Sequence, residues 1–406
     1  MSSLLQNIKS YIKGDLFIWA LVALLALFSF MPVYSASTNL VYVAGNGTTI
    51  GILIKHAVLL LMGFTIMFFI HRTPYRYFSG VSVVMIPIVI VLLIVTLAQG
   101  TTIGGANAAR WIRIPIIGVG FQTSTLAGLV IMVYTARYLA KRKDSIIDFK
   151  ESLLRLWTPI AMILMFILPA NFSTTAIVFM MVLMLCFVGG YPIKYLAGII
   201  GAGIVILLLF VLTAKAFPGL MPNRVDTWMS RIESFSDDDS KEGYQVENAK
   251  IAIATGGVTG KGPGKSVQKN FLPQSSSDFI FAIIVEEYGL FGAGLVLLVY
   301  FVLTFRLYVA AKKAGTVFGK LLVVGVGFPI VFQAIINMMV ATNLGPVTGQ
   351  TLPLISSGGT SIWMTCLAIG MVLSVTASAN VTEEQLATES EDPLEKLYHT
   401  EEIEEA

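Results

Sequence analysis

The sequence predicts an all-α polytopic membrane protein: ten transmembrane helices, N-in and C-in, with a large extracytoplasmic loop between helices 7 and 8. Three observations predict it. Of 406 residues, 56% are hydrophobic and only 13% charged, with mean hydropathy +0.80, against about 25% charged in soluble domains. The apolar residues fall into runs close to the ~20 that a spanning helix needs. Lys and Arg gather in alternate short loops, as cytoplasmic loops require.

The first runs are 16–34, 50–70, 81–97 and 121–139. The leading run lacks a small-residue cleavage site and reads as a spanning helix, not a removable signal peptide. The stretch 157–188 is too long for one helix and is broken by Pro169-Ala170-Asn171, so it is two helices with a tight turn at the membrane face. The remaining runs are 195–212, 279–309, 317–340 and 362–375.

With the N-terminus inside, the cytoplasmic segments carry Lys9 and Lys13, then Arg72 and Arg76, then the cluster from Arg137 to Arg155, then Lys194, and finally Arg306, Lys312, Lys313 and Lys320. The short outer loops carry only Arg110 and Arg113, and Lys55 snorkels from the outer end of the second span. Removing one intervening span would put the Arg137–Arg155 and Arg306–Lys320 clusters on opposite sides. The polar stretch 214–277 becomes the large outer loop. Residues 1–379 form one transmembrane domain, and the acidic segment 380–406 reads as a disordered cytoplasmic tail.

Several function classes are excluded. A net charge of +3, spread beside the spans, gives no nucleic-acid patch. Cys186 and Cys366 lie in separate apolar runs, and His56, His71 and His399 are scattered, so neither disulfide nor zinc chemistry is expected. Gly260-Lys261-Gly262-Pro263-Gly264-Lys265-Ser266 looks like a phosphate loop but has Thr259 where the motif needs glycine, and Pro263 lacks an N–H.

Four constellations carry chemistry. Asp278 enters a span beside Phe279, Ile280 and Phe281. It reads as a helix N-cap or as a partly desolvated general base, and the two are compatible. Glu286 and Glu287 lie deeper in the same run, where charges are costly. At about 100° per residue, Glu286 falls on the side nearer Asp278, able to share a cavity with it, and Glu287 nearly opposite, facing another helix. Lys261, Lys265 and Lys269 in the glycine-rich stretch either hold a pyrophosphate or face water and headgroups from a flexible loop. Arg110 clamps a phosphate or binds lipid headgroups, and Trp111 fits the interfacial aromatic belt. Last, 343–361 (NLGPVTGQTLPLISSGGTS) is irregular yet apolar, as in a re-entrant or broken segment.

The runs GANAARWI, GGVTGKGPGKSVQK, LPQSSSDFIFAIIVEEYGLFG and GPVTGQTLPLISSGGTS, in that order along the chain, resemble the shape, elongation, division and sporulation (SEDS) family of FtsW, RodA and SpoVE, most nearly its FtsW branch. The resemblance covers most of the chain. It implies a peptidoglycan glycosyltransferase that polymerises lipid II into glycan strands on the outer face of the bacterial cytoplasmic membrane during cell division, releasing undecaprenyl pyrophosphate. It implies Asp278 as the catalytic residue. Arg110, Trp111, Gln122, Lys261, Lys265, Lys269, Ser277, Glu286, Ser356 and Ser357 are the expected substrate contacts. A divalent cation, Mg or Mn, could share the charge of the leaving group. The expected partners are a class B penicillin-binding protein acting as transpeptidase, divisome proteins and membrane lipids. Departures from the pattern stand at Thr125 and Gly128, where the family often has Glu and Lys, at Leu168-Pro169-Ala170-Asn171, and at Pro273-Gln274. The rival reading is a lipid II flippase or transporter, which expects polar groups spread through several helices near the midplane. A non-catalytic scaffold would need no carboxylate facing a groove.

Overall fold

The computed structural model describes residues 11–42, 48–99, 102–103, 106–107, 111–113, 120–216, 241–272 and 275–390. Its helices begin with α1 (Leu16–Tyr42), α2 (Thr49–Ile70), α3 (Arg76–Gln99) and α4 (Thr123–Lys141). Short α5 (Phe149–Ser152) runs through a π turn at Leu153–Trp157 into α6 (Thr158–Ile167), followed by α7 (Phe172–Val188) and α8 (Ile193–Ala216). Then come α9 (Lys241–Gly256), α10 (Ile280–Lys313), α11 (Val317–Ala341) and α12 (Gly359–Ser390). Two antiparallel hairpins, β1–β2 (Thr102–Ile103, Ala106–Asn107) and β3–β4 (Trp111–Arg113, Gly120–Gln122), lie between α3 and α4.

Helices occupy every segment read as a span. Among the described residues, six are long and apolar enough to cross a membrane, and Phe172–Val188 and Ile193–Leu209 are shorter apolar helices. Their ends follow from local chemistry. Thr48, Asn171 and Thr316 accept hydrogen bonds from the N–H groups of Gly51 (3.1 Å), Thr174 (3.2 Å) and Gly319 (3.0 Å), which satisfies N–H groups with no intrahelical partner. Asn171 thereby starts α7 directly after the Pro169-Ala170 turn. Pro32, Pro87 and Pro329 sit inside α1, α3 and α11, as membrane helices tolerate.

Two apolar cores form. One joins α1, α2, α9, α10, α11 and α12; the other joins α3, α4, α6, α7 and the start of α8, with Leu321 of α11. The central helices are α12 and α11, whose apolar windows are 72% and 61% buried against 22% for α3. Leu27, Leu61, Phe291 and Phe301 point outward and stay exposed, the arrangement of helices solvated by lipid.

The structure differs from expectation at three places. The polar stretch read as outer loop contains helix: α8 continues to Ala216, past the expected end at 212, and α9 packs Ala249 and Ala252 completely out of solvent. Residues 217–240 lie outside the described residues. α12 continues to Ser390, into the segment read as a disordered tail, because VTEEQLATES is rich in helix formers; 391–406 lie outside the description. The apolar run 279–309, read as one span, is broken.

Candidate active site at the break in α10

As one straight helix, the 34 residues of α10 would measure about 51 Å, too long for a hydrocarbon core of ~30 Å. The chain resolves this at Gly289, with φ 65° and ψ −162°, a conformation essentially confined to glycine. The bend is sharp. A Cβ on Gly292 would lie 3.7 Å from the carbonyl oxygen of Ile284, although eight residues of straight helix rise about 12 Å.

The bend removes the intrahelical partners of the Glu286 and Glu287 carbonyls. They accept instead from the N–H groups of Lys261 and Gly262, each at 2.9 Å. In return, Leu290 and Phe291 donate their N–H groups to the carbonyls of Gly257 (3.0 Å) and Val258 (3.3 Å). This close approach explains the glycines. A Cβ on Gly260 would lie 2.2 Å from the Glu287 carbonyl oxygen, and one on Gly289 would lie 2.3 Å from that of Val258. The glycine-rich stretch is therefore a strip stitched onto the broken helix, not the flexible loop its composition suggested.

The two glutamates complete the joint. Glu286 is fully buried. Its carboxylate accepts from Lys261 Nζ (2.7 Å), Ser266 Oγ, Val267 N (3.0 Å) and Gln268 N (3.2 Å). Glu287, also buried, accepts from Ser35 Oγ of α1 and from Ser266 N (3.3 Å). Lys269 Nζ donates to Ser35 Oγ (3.2 Å) and the Gly264 carbonyl (2.8 Å). Glu287 does meet another helix. Glu286, by contrast, binds the strip and not a cavity shared with Asp278, which corrects its expected substrate contact: its lone pairs are already taken by protein donors. Lys261 and Lys269 are committed in the same way. Lys265 is exposed, its stem lying against Gly262.

Asp278 sits just before α10 in the turn 275–279 and is partly buried. Phe279 holds the N-cap position of α10 and makes no side-chain capping bond; Asp278 precedes it by one residue. Its backbone is fixed from two directions. Asn337 Nδ2 of α11 donates to the Asp278 carbonyl (2.8 Å) and to the Gln350 carbonyl (2.7 Å). The adjoining serines bind the irregular segment before α12: Ser356 Oγ donates to the Ser277 carbonyl (2.6 Å), and Ser357 N to the Ser276 carbonyl (2.9 Å). A Cβ on Gly349 would stand 3.6 Å from Asp278 Oδ2. That segment does re-enter the protein. Tyr300 OH of α10 donates to the Pro353 carbonyl (2.5 Å), and Gln333 Nε2 of α11 to the Thr351 carbonyl (2.9 Å). Ser356 is 2% exposed and positions the Asp278 turn; its hydroxyl is not presented outward as a substrate contact.

Arg110 is outside the described residues. Trp111 is half-buried in β3 opposite Gln122 of β4, and Gln122 N donates to Thr360 Oγ1 (3.3 Å) at the start of α12. Beneath the re-entrant segment, a cavity of about 110 Å³ is lined by Thr125, Gly128, Thr174, Gln333, Gln350 and Ser361 among others. Thr125 and Gly128 leave that wall uncharged. Sequence reasoning missed Ser35, Ser266, Gln333 and Asn337. A polar amide inside the apolar run of α11 was the available signal for the last two. Among the described residues, no three His, Cys, Asp or Glu side chains cluster as a metal site.

The sequence profile of the FtsW/RodA/SpoVE cell cycle proteins matches residues 15–381. The chain belongs to the FtsW/RodA/SpoVE family. Relatives named "Probable peptidoglycan glycosyltransferase FtsW" include those of Hahella chejuensis, 33% identical over 92% of this chain and 91% of its own length, and of Nitrosomonas europaea, 31% identical over 89% and 92%. A chain solved in work on structural coordination of polymerization and crosslinking by a peptidoglycan synthase complex aligns with TM-score 0.68 and 25% identity, over 90% of this chain and 98% of that one. The rod shape determining protein RodA of Thermus thermophilus aligns with TM-score 0.63 at 23% identity, over 91% and 99%. The likeness to RodA shows the fold. The FtsW/RodA/SpoVE match spans every helix described above that carries the site.

Proposed function

We propose that this FtsW/RodA/SpoVE chain is a peptidoglycan glycosyltransferase that polymerises lipid II on the outer face of the bacterial cytoplasmic membrane during cell division. The relatives' printed name and the family's description as cell cycle proteins support the activity and the setting. The orientation belongs to the same reading: ten spans, N-in and C-in, with the Asp278 turn outward. The single observation that carries the chemistry is a partly exposed carboxylate, Asp278, whose backbone is held by Asn337 and a re-entrant segment beside apolar surface.

In this mechanism Asp278 accepts the proton of the acceptor sugar's 4-hydroxyl. The hydroxyl oxygen forms a bond to the anomeric carbon of the donor from the face opposite the departing group. The bond from that carbon to the pyrophosphate oxygen breaks, and the configuration inverts. Undecaprenyl pyrophosphate leaves with the bonding electrons. A fixed positive charge where negative charge develops lowers the barrier. Lys265 supplies it among the loop lysines, since Lys261 is neutralised by Glu286, and Arg110 is a second candidate. A divalent cation, Mg or Mn, carried with the pyrophosphate would share that charge; among the described residues no three His, Cys, Asp or Glu side chains gather as a resident site for it. A class B penicillin-binding protein fits as partner, because one structural neighbour comes from a peptidoglycan synthase complex. The carboxylates Glu286 and Glu287 gather at one broken helix instead of spreading along a translocation path, which weighs against a flippase.

The test is polymerisation of labelled lipid II by the purified chain with its transpeptidase partner. The expected product is a ladder of glycan strands with one polyprenyl pyrophosphate released per bond formed. Transbilayer movement of intact lipid II without polymer would overturn the reading in favour of transport.

A further inference from the structure

At the end of the bundle opposite Asp278, α4, α7, α10 and α11 do not close on one another. They leave a cavity of about 1000 Å³. Arg142, Lys143, Lys312 and Lys320 line it, with no carboxylate among the lining residues. Arg142 is committed to Glu151. The three lysines are exposed and enter none of the ion pairs Arg142–Glu151, Arg155–Glu151, Lys261–Glu286 and Arg306–Asp15.

Beyond the charges the walls turn apolar, with Met184 and Val188 of α7 facing Val324 and Phe328 of α11. From Val317 to Phe328 this wall is about 16 Å deep, close to half of a ~30 Å hydrocarbon core. Ile146, on the lip beside Lys143, is 97% exposed. An isoleucine so placed fits the headgroup boundary of a bilayer better than water. A phosphate-sized anion alone would leave the apolar walls uncovered. A zwitterionic headgroup would bring a cation against three lysines.

We propose that this cavity binds one anionic phospholipid of the cytoplasmic leaflet. Its phosphate is held by Lys143, Lys312 and Lys320, and an acyl chain lies between α7 and α11. Basic pockets between helices on the cytoplasmic side are suited to such headgroups. The lipid would fill the seam between the two apolar cores and so stabilise the folded state by mass action. The leaflet assignment rests on the orientation given under the proposed function; the binding itself does not.

The test is binding, not activity, so it stands apart from the glycosyltransferase reading. The purified full chain is titrated with phosphatidylglycerol, phosphatidylcholine and inorganic phosphate, reading the thermal midpoint and lipid retention by native mass spectrometry. Phosphatidylglycerol is expected to bind and raise the midpoint, and the other two to do neither. The double variant Lys312→Gln, Lys320→Gln is expected to bind it about 30-fold more weakly, at roughly fivefold from each lysine. Should that variant fail to fold, Val324→Trp, which fills the cavity and leaves the charges, is expected to lose the lipid. Equal binding of phosphatidylcholine, an equal shift with phosphate, or full retention in these variants would overturn the proposal.

Discussion

Asp278 and Glu286 lie in the same short stretch of chain and serve opposite purposes. Glu286 accepts four hydrogen bonds and has no exposure; Asp278 keeps part of its surface open, and its backbone carbonyl carries the positioning contact. Removing a buried partner strands the others. Glu286→Ala is therefore expected to cost about 3 kcal/mol of stability, seen as a lowered thermal midpoint in detergent, whereas Glu286→Gln, which keeps an acceptor, should cost less. Equal midpoints for Glu286→Ala and wild type would show that the joint is not held this way. Asn337 holds Asp278 through its backbone carbonyl. Asn337→Leu should lower kcat for lipid II polymerisation by about tenfold or more with KM little changed, since small misplacements of a reacting group are costly. An unchanged kcat would remove Asn337 from the positioning of Asp278. Glu286 was legible in sequence as a charge within an apolar run, and Asn337 offered the same signal without being singled out; the partners of neither were legible. Ser266 and Ser35 are distant in sequence, and nothing local marks either as the hydroxyl that meets a glutamate.

At the scale of the element, α10 shows what periodicity conceals. Residues 279–309 read as one apolar run, and Gly289 within EEYGLFG looks like an ordinary helix glycine. The available signal was excess length: the run exceeds the ~20 residues needed to span. The break creates four exchanged backbone hydrogen bonds with 257–262, and that partner strip was read only for its lysines. Gly289→Ala is expected to be far worse than a helix glycine substitution. Its backbone conformation is closed to alanine at a cost of about 1–3 kcal/mol, before the overlap of the new Cβ with the Val258 carbonyl. Size-exclusion profiles should show loss of the folded monodisperse species; a normal profile and midpoint would contradict the stitched-strip description. One helix boundary was easier to read, because Pro169-Ala170-Asn171 announces the turn between α6 and α7 in three residues.

For the whole molecule, composition and charge placement carried the membrane assignment, and every segment read as a span is helical. What they could not convey is which helices are central, since α11 and α12 look no more apolar than α3 yet are far more buried. The proposed orientation makes a direct prediction. Cys186 and Cys366 are fully buried, so the native background should resist maleimides. Lys265→Cys should then react with a membrane-impermeant maleimide added to intact spheroplasts, and Ile146→Cys only after lysis; the reverse pattern would invert the molecule and remove Asp278 from the outer face. The central claim is that the Asp278 carboxylate takes the proton in glycosyl transfer, and its most direct test is the single-turnover rate of labelled lipid II polymerisation by Asp278→Asn beside wild type. The account predicts a fall of at least about 100-fold, the contribution of a general base, with an unchanged thermal midpoint. A rate within a few-fold of wild type would contradict it.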